Sequence, residues 1–397
     1  MAFLAVYASR VGANGIQIGL LTAGPAVVNL LFSLPAGRWL EKRRLVRISF
    51  VSSIWHRLPY LLLIPLPVLD LADFQIKAII LIVLIMSVPG TILAIAFNAM
   101  FADVVPPDKR AEVVGKRNAL LAVSLTVTSI ICGAILDRVP FPCNYQIVFA
   151  IGAVGAMLSS YHLGKITQLP LPKVPRVGKP LYDIARPGLM RFVDTIRIPV
   201  GLRFLTRSTG KPLLRLDLLR SSFGSFLVAF FLFYTFQYVP VPLFPLLFVR
   251  VLHLSDGQIS LGYALYYLVM LIVSLGLGRM GPRYGYRRIL VVSAVFYAQF
   301  PLLIGLATNA TYFWVASLIG GGVWALANGG LVNRLMERVP EDDRPAHMAL
   351  HNLMLNLGIL AGSLIGPLLG DFLGLRNAAL VSAALRFLGG LLLGVWG

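Results

Sequence analysis

Long runs of uncharged residues dominate the pattern of this chain. Asp, Glu, Lys and Arg are absent from residues 78–102, 139–164, 221–249, 257–278, 289–333 and 345–370. A bilayer core of ~30 Å is crossed by roughly 20 apolar residues in an α-helix. Strands of a membrane barrel would be about half as long and would alternate in polarity, which these runs do not. The pattern therefore predicts membrane-spanning helices.

The same pattern predicts eleven complete spans. They are placed at residues 17–37, 46–69, 76–101, 116–137, 144–164, 218–249, 257–278, 288–307, 312–333, 348–370 and 377–396. The composition agrees, because 58% of the residues are hydrophobic and only 13% are charged, against about 25% charged in soluble domains. The expected fold is an all-α integral membrane bundle.

The basic residues are distributed unevenly between the predicted loops. A net charge of +19 would suggest a nucleic-acid partner in a soluble protein. Here 28 of the 35 basic residues lie in alternate loops, in residues 38–47, 109–117, 165–220, 279–288 and 334–344. The positive-inside rule places these loops in the cytoplasm. This predicts a multi-pass protein of a bacterial-type inner membrane, with a cytoplasmic C-terminus and no nucleic-acid partner.

The chain repeats itself in parallel. Matches at an offset of 241 residues include Gln17/Gln258, Gly37/Gly278 and Arg47/Arg288, and matches at 234 include Asp108/Asp342 and Asp137/Asp371. The repeat divides the chain into an N-terminal half at 1–164, a basic linker at 165–217 and a C-terminal half at 218–397. Two parallel six-helix halves are one architecture of membrane transporters.

The repeat also indicates that most of the first span is missing. The second half has a whole span before Gln258, whereas only the stub 2–11 precedes the matching Gln17. We therefore expect eleven complete spans and a fragment of a twelfth; with the fragment counted as span 1, the complete spans are numbered 2 to 12. A start codon assigned too late, a truncated gene and a natural eleven-span design all remain open.

Two loops carry related motifs of small and basic residues. The first is Gly-Arg-Trp-Leu-Glu-Lys-Arg-Arg at 37–44, and the second is Gly-Arg-Met-Gly-Pro-Arg-Tyr-Gly-Tyr-Arg-Arg at 278–288. In these motifs the chain resembles the major facilitator superfamily. The resemblance implies secondary transport by alternating access, with the motif gating the cytoplasmic side. The residues implied in gating are Gly37, Arg38, Glu41, Lys42, Arg43, Gly278, Arg279, Arg283 and Gly285. An ordinary basic loop is the alternative for each copy.

The resemblance also implies a substrate cavity between the halves. The candidate lining residues are Tyr234, Gln237, Tyr238, Trp324, Asn328 and Arg57. Pro240, Pro242 and Pro245 are expected to break the end of span 7. An aromatic wall with few hydrogen-bonding groups favours a hydrophobic or amphipathic solute over a sugar. The alternative is that these side chains only pack against neighbouring helices, and helix packing also explains Gly362 and Gly366 in span 11.

Two arginines, Arg57 and Arg386, lie about ten residues inside predicted spans, or ~15 Å deep at 1.5 Å per residue. A charge at such a depth costs roughly 2.5–3.5 kcal/mol on insertion scales and is a functional hypothesis by default. Snorkelling, or a hydrogen bond to a neighbouring span, is the alternative for both.

The sequence favours a carrier for the efflux of a hydrophobic or amphipathic small molecule. A non-transporting sensor or an inactive truncated relative is the second hypothesis. An enzyme is disfavoured, because the spans contain no central cluster of acids and histidines; His347 and His351 are interpreted as lying at the membrane interface. No cofactor is expected. The expected partners are the solute, membrane lipid around a basic amphipathic helix in the linker, and a proton or other coupling ion, with the protein acting as a monomer.

The predicted topology is tested by labelling single cysteines in a variant lacking Cys132 and Cys143. Cysteines placed in the basic loops at 38–47 and 165–217 should react with an impermeant maleimide only after the cells are opened. A cysteine in place of Arg376, in an outward loop, should react in intact cells. Basic loops divided between both faces of the membrane would refute the topology.

Overall fold

The computed structural model describes residues 2–40, 43–69, 71–105, 110–166, 216–339 and 344–397, and their regular structure is helical. The first half contains α1 (Ala2–Arg10), α2 (Gly15–Leu40), α3 (Leu45–Arg57), α4 (Tyr60–Leu63), α5 (Ala72–Val104), α6 (Arg110–Arg138) and α7 (Cys143–Gly164). The second half contains α8 (Ser222–Tyr238), α9 (Leu243–Leu246), α10 (Asp256–Tyr284), α11 (Tyr286–Phe296), α12 (Gln299–Leu306), α13 (Ala310–Arg338), α14 (Arg344–Leu373) and α15 (Leu375–Trp396). A π-helical turn, Leu247–Val251, follows α9.

Ten helices of this described part are long and apolar enough to cross a membrane, by length and composition. The expected span 46–69 is not among them, and the prediction of one unbroken helix there is wrong. α3 ends at Arg57, α4 is a single turn, and a 3-10 turn follows at Leu66–Val68. Pro59 and Pro65 lie at the two breaks, where their missing N–H groups cannot continue a helical ladder. A hydropathy profile does not reveal this break, because both prolines are surrounded by apolar residues.

The structure confirms the internal repeat. α2 and α10 begin 241 residues apart, as do α3 and α11, and α6 and α14 begin 234 apart. α1 falls, at the offset of 241, on α9 and its π turn. Even the helix caps correspond. Asn14 and Gln17 exchange hydrogen bonds of 2.8 and 2.9 Å at the start of α2, and Ser255 and Gln258 form the matching capping box at the start of α10.

Each half uses the same internal packing. α3 packs on α5 and α7 in the first half, and the equivalent α11 packs on α13 and α15 in the second. The two halves meet along two long seams, α2 with α14 and α6 with α10. Small residues bring the helices of these seams together, as at Gly19 beside Ser363 and Gly133 beside Ser260. The boundaries of the linker remain a prediction, since residues 167–215, with the proposed amphipathic helix, lie outside the described residues.

A row of glycines lets α14 touch the backbone of α8. A methyl group at Gly362 would collide with the carbonyl oxygen of Thr235, and one at Gly366 with that of Val239. Gly358, one turn earlier, lies against Tyr234 in the same way. Close approach of this kind is how membrane helices gain packing energy without a hydrophobic driving force. The packing interpretation of Gly362 and Gly366 is confirmed.

Alanine at Gly366 should therefore destabilise the protein, because the helices must separate to admit the new methyl group. Overpacking of this kind costs about 1–3 kcal/mol. Gly152→Ala on α7 is the matched control, since nothing lies within 4 Å of its methyl position. The thermal midpoint of the detergent-solubilised protein should fall by several degrees for Gly366→Ala only. Equal midpoints for the two variants would contradict the packing seen here.

Candidate transport pathway between the halves

Two arginines cross between the halves where α2 and α10 begin. Arg10 donates from Nη2 to the carbonyl oxygen of Leu254 at 2.5 Å, and Arg250 donates from Nη2 to that of Ala13 at 2.7 Å. Ala13 and Leu254 are equivalent positions of the repeat, 241 residues apart. The two contacts are therefore reciprocal: each half donates a guanidinium to the same backbone position of the other. We call this end of the bundle the Asp256 end.

The carboxylate of Asp256 receives two further groups from the first half. Arg10 forms an ion pair with its Oδ1 at 3.1 Å, and the hydroxyl of Tyr145 donates to its Oδ2 at 2.9 Å. Asp256 is only 8% exposed. Hydrogen bonds to charged groups contribute about 1.5–3 kcal/mol each when shielded from water. This carboxylate thus stabilises contact between α1, α7 and α10.

A second carboxylate binds the N-terminus of α10 from the opposite side. Asp137, at the end of α6, accepts from the backbone N–H of Gly257 at 2.8 Å and from the hydroxyl of Ser255 at 3.0 Å. The first turn of a helix has unpaired N–H groups and a partial positive charge, which favour an anion there. Gly257 is needed for this approach, since a methyl group at Gly257 would overlap the carboxylate of Asp137.

Among the described residues, the start of α2 in the first half has no such carboxylate lock. Asp371 is the repeat equivalent of Asp137, but in the described residues it makes no hydrogen bond to the start of α2, where Asn14 and Gln17 cap each other. The polar contacts between the halves at this end are therefore asymmetric. We refer to Arg10, Asp137, Tyr145, Arg250 and Asp256 together as the latch.

Apolar side chains seal the layer beneath the latch. Val6 of α1 is 1% exposed and belongs to a cluster of the second half, with Leu243 and Leu247. Leu246 of the second half is in turn part of a first-half cluster that contains Tyr7. The halves exchange buried residues here, so apolar packing as well as polar contacts joins them at the Asp256 end.

The other end of the bundle holds the described parts of the basic loops. α2 still contacts α14 there, with Ala36 and Leu40 in one cluster with Ala349. α5 and α13, the central helices beside this seam, form no extended contact in the described residues. We call this the basic-loop end. The polar contacts between the halves thus concentrate at the Asp256 end, and the described contact at the basic-loop end is the apolar seam of α2 and α14.

The three candidate residues of α8 have different surroundings. Tyr234 is buried against α14, with its hydroxyl 3.4 Å from Nε2 of His351. Tyr238 is half-buried and lies over Gly362. Gln237 is 6% exposed, and its Oε1 has no hydrogen-bond partner. The expected break follows directly: α8 ends at Tyr238, and a separate short helix begins at Leu243.

The remaining cavity candidates are spread between both halves. Trp324 of α13 is half-buried, with its ring centroid 5.1 Å from that of Tyr297, and Asn328 is buried one turn along. Arg57 lies at the contact of α3 and α7, where it donates to Oγ of Ser160 at 2.8 Å. Its position supports the alternative of a hydrogen bond to a neighbouring span. The structure therefore does not bring Arg57 together with the residues of α8 and α13.

Only part of the predicted gating motif is described. Glu41 and Lys42 lie outside the described residues, and so do the surroundings of Gly278 and the side chains of Arg38 and Arg279. Gly37 is buried in α2 near the α14 seam, while Arg43 stacks on Trp39 at 4.7 Å and Arg283 on Tyr284 at 5.3 Å. Gly285 has φ +79°, so it makes the turn between α10 and α11 in a conformation that favours glycine. Gating by this motif remains a prediction.

Sequence reasoning missed the latch. The histidines interpreted as interfacial, His347 and His351, face into the protein: they are 5% and 7% exposed and pack against the aromatic rings of α8. The signal for the latch was available, because Asp137 and Asp256 are among only 16 acids in the chain. No group of three His, Cys, Asp or Glu side chains in the described residues is arranged to hold a metal ion.

A family model described as Major Facilitator Superfamily matches residues 1–225 and 226–397. The chain belongs to the major facilitator superfamily. This superfamily is one of membrane transporters, and the match covers both halves of the repeat. A search of curated protein sequences finds no match.

Solved structures of major facilitator proteins share the fold at low identity. The nucleoside transporter NupG has a TM-score of 0.64 at 11% identity, covering 99% of this chain and 96% of its own. A D-xylose-proton symporter has 0.68 at 14%, covering 96% and 88%. A bacterial homologue of the iron transporter ferroportin, in an inward-facing state, has 0.68 at 16%, covering 100% and 93%. These similarities establish the fold.

Weakening the latch should open the Asp256 end of this major facilitator protein. Gly257→Ala displaces the carboxylate of Asp137, and Asp137→Asn removes its charge. If the closed state loses about 1.4 kcal/mol of stabilisation, the ratio of open to closed protein rises about tenfold. Because Asp137 is exposed to solvent, its contacts are weaker, and we expect this ratio to rise roughly 3- to 10-fold. Spin labels at Arg138→Cys and Thr308→Cys, in a variant lacking the native cysteines, report the distance between the halves.

Two controls accompany this measurement. Gly276→Ala adds a methyl group to the same helix in open space, and Asp371→Asn changes the repeat equivalent of Asp137. Both should reproduce the closed distance of the parent protein. The latch is disproved if the two test variants keep that distance as well.

Proposed function

We propose that this protein is a secondary carrier that exports a small hydrophobic or amphipathic solute across a bacterial-type inner membrane by alternating access. The observation that carries the proposal is that the polar contacts and exchanged buried side chains between the halves concentrate at the Asp256 end. The latch and its apolar seal join α1, α7, α9 and α10, while α5 and α13 form no extended contact along their described lengths. Breaking the latch and closing the opposite end would exchange access between the two sides.

The proposed orientation has the Asp256 end outside the cell and the basic-loop end in the cytoplasm. The distribution of basic residues supports it. The carbonyl oxygen of Gly397 accepts hydrogen bonds from Arg334 at 2.9 Å and Arg338 at 3.2 Å, so the C-terminal residue lies among cytoplasmic basic residues in this orientation. A solute would then enter the described conformation from the cytoplasm. The linker at 165–217 would contact the anionic inner leaflet.

Aromatic side chains support the proposed class of solute. Tyr238 and Trp324, both half-buried, offer wide apolar faces and few hydrogen-bonding groups, which suits an amphipathic molecule better than a sugar. The nucleosides, sugars and iron named for the structural neighbours are substrates of those proteins. We further propose that a monomer is the working unit, and that a proton or another ion drives transport.

Reconstituted vesicles test the carrier directly. An amphipathic dye should accumulate with saturable kinetics at least tenfold above empty vesicles, whereas xylose and uridine should not. In a variant lacking the native cysteines, a cleavable thiol cross-linker then joins Asp137→Cys to Ser255→Cys, whose native side chains are 3.0 Å apart, and replaces the native contact by a covalent one. Cross-linking should stop the flux by holding the latch closed, and cleavage should restore it.

A protein without flux for any of these solutes, with or without the cross-linker, would contradict the proposal. That result would favour the non-transporting sensor or inactive relative that the sequence left open.

A further inference from the structure

The second half contains a buried arginine that the proposed mechanism does not use. Arg386 lies in the middle of α15 and is 3% exposed. Its guanidinium carbon is 4.7 Å from the ring centroid of Tyr297 and 5.8 Å from that of Phe244. Such ring faces attract a cation, but neither carries a negative charge.

One nitrogen of Arg386 is bonded to the backbone of span 7. Nη2 donates to the carbonyl oxygen of Gln237 at 2.7 Å. This carbonyl is available because the helix is breaking: the N–H of Val241, its regular partner, bonds to the oxygen of Tyr238 instead, at 3.3 Å. A cation at such a helix end satisfies an orphan carbonyl and suits the helix dipole. This cap, the hydrogen bond from Nη2 to the carbonyl oxygen of Gln237, explains the position of Arg386, but it uses only one of the three guanidinium nitrogens.

Hydrogen-bonding groups remain unused around the cap. Nε and Nη1 of Arg386 have no hydrogen-bond partner, and neither does Oε1 of Gln237. Arg57 differs, since its side chain reaches Ser160 and is only partly buried. No carboxylate pairs with Arg386 in the described part of the chain, where the ion pairs are Arg10–Asp256, Lys77–Asp73 and Arg334–Glu337. A buried charge without a partner is costly, so an anion is expected there.

The surroundings of Arg386 indicate what kind of anion fits. Tyr266 and Tyr297 join their hydroxyls at 3.0 Å, and Trp324 stacks near Tyr297. Phe244 and Phe300 add apolar rings 5.1 Å apart. A free inorganic ion would gain little from these rings, whereas an organic molecule with one charged end would use both the rings and the cation. Tyr238 and Trp324, both half-buried, link this site to the candidate cavity.

We infer that Arg386 is the counter-charge for the carboxylate of an amphipathic organic anion, bound between α8, α11, α13 and α15. This inference rests on the proposed carrier function and narrows its solute class. The carboxylate would accept hydrogen bonds from the free guanidinium nitrogens. Its apolar body would lie against Tyr297 and Trp324.

Binding of a matched pair of probes tests the inference without any transport assay. Pyrenebutyrate and its neutral primary amide differ in charge at one end only, and binding to the purified protein is followed by quenching of tryptophan fluorescence. The parent protein should bind the carboxylate at least tenfold more tightly than the amide. Equal affinities would overturn the inference, whatever any variant shows.

Variants then assign the preference to one side chain. Arg386→Gln should weaken the binding of pyrenebutyrate at least tenfold and leave the affinity for the amide unchanged. Arg386→Lys should retain part of the preference for the carboxylate. Arg376→Gln, at the start of the same helix, should match the parent. Equal weakening of both probes by Arg386→Gln would mean that Arg386 is only a helix cap. Because the parent protein and Arg386→Lys keep a cation there, the test does not depend on the folding of Arg386→Gln.

Two further arms separate the remaining outcomes. Full competition by millimolar chloride or inorganic phosphate would overturn the organic anion in favour of an inorganic one. In vesicles, flux of neutral or cationic solutes with no preference for anions would overturn the inference and leave the carrier intact. A tenfold carboxylate preference in binding with no flux of any solute would uphold the site and remove the carrier.

Discussion

Backbone groups inside a membrane must find partners within the protein, and this constraint governs the most unusual parts of the structure. Spans 3, 7 and 9 are all broken, and span 4 contains Pro89. At the break of span 7, Arg386 from another helix donates to the freed carbonyl oxygen of Gln237. Near Pro89, Nδ1 of His56 in α3 contacts the carbonyl oxygen of Met86 at 2.7 Å. Side chains of neighbouring helices thus contact the backbone at both places.

Each half carries an arginine inside a span of its peripheral layer; Arg386 is buried, whereas Arg57 is half-buried. Arg57 connects α3 to α7, and Arg386 connects α15 to the broken end of α8. Both lie among helices that pack within one half. The seams between the halves instead use small residues, and their polar contacts concentrate at the Asp256 end. Rigid halves with a weakly bonded boundary are what a rocking motion requires, because bending then occurs between the halves.

Much of the fold could be predicted because the repeat in the sequence corresponds to a repeat in the structure. The offsets read from Gln17/Gln258 and Asp137/Asp371 reappear as helix starts and caps. The broken span 46–69 could not be recognised from hydropathy, since Pro59 and Pro65 remove hydrogen bonds without adding polarity. The aromatic residues of α8 were correctly placed beside a break. The latch was missed because, in the sequence, a carboxylate at the end of a span resembles an ordinary loop charge. The repeat did not help, because Asp137 binds the start of α10 whereas its equivalent, Asp371, makes no matching hydrogen bond in the described residues.

The reciprocal arginine contacts have a consequence for how the sequence can drift among relatives. Both acceptors, at Ala13 and Leu254, are main-chain oxygens, which every amino acid supplies. Substitutions at these two sites would therefore preserve the bonding pattern, while loss of Arg10 or Arg250 would abolish one contact outright. For the hydrogen bonds themselves, evolutionary constraint should fall on the donors alone, whereas Ala13 and Leu254 are constrained by packing, because both are buried in the apolar clusters of the seal.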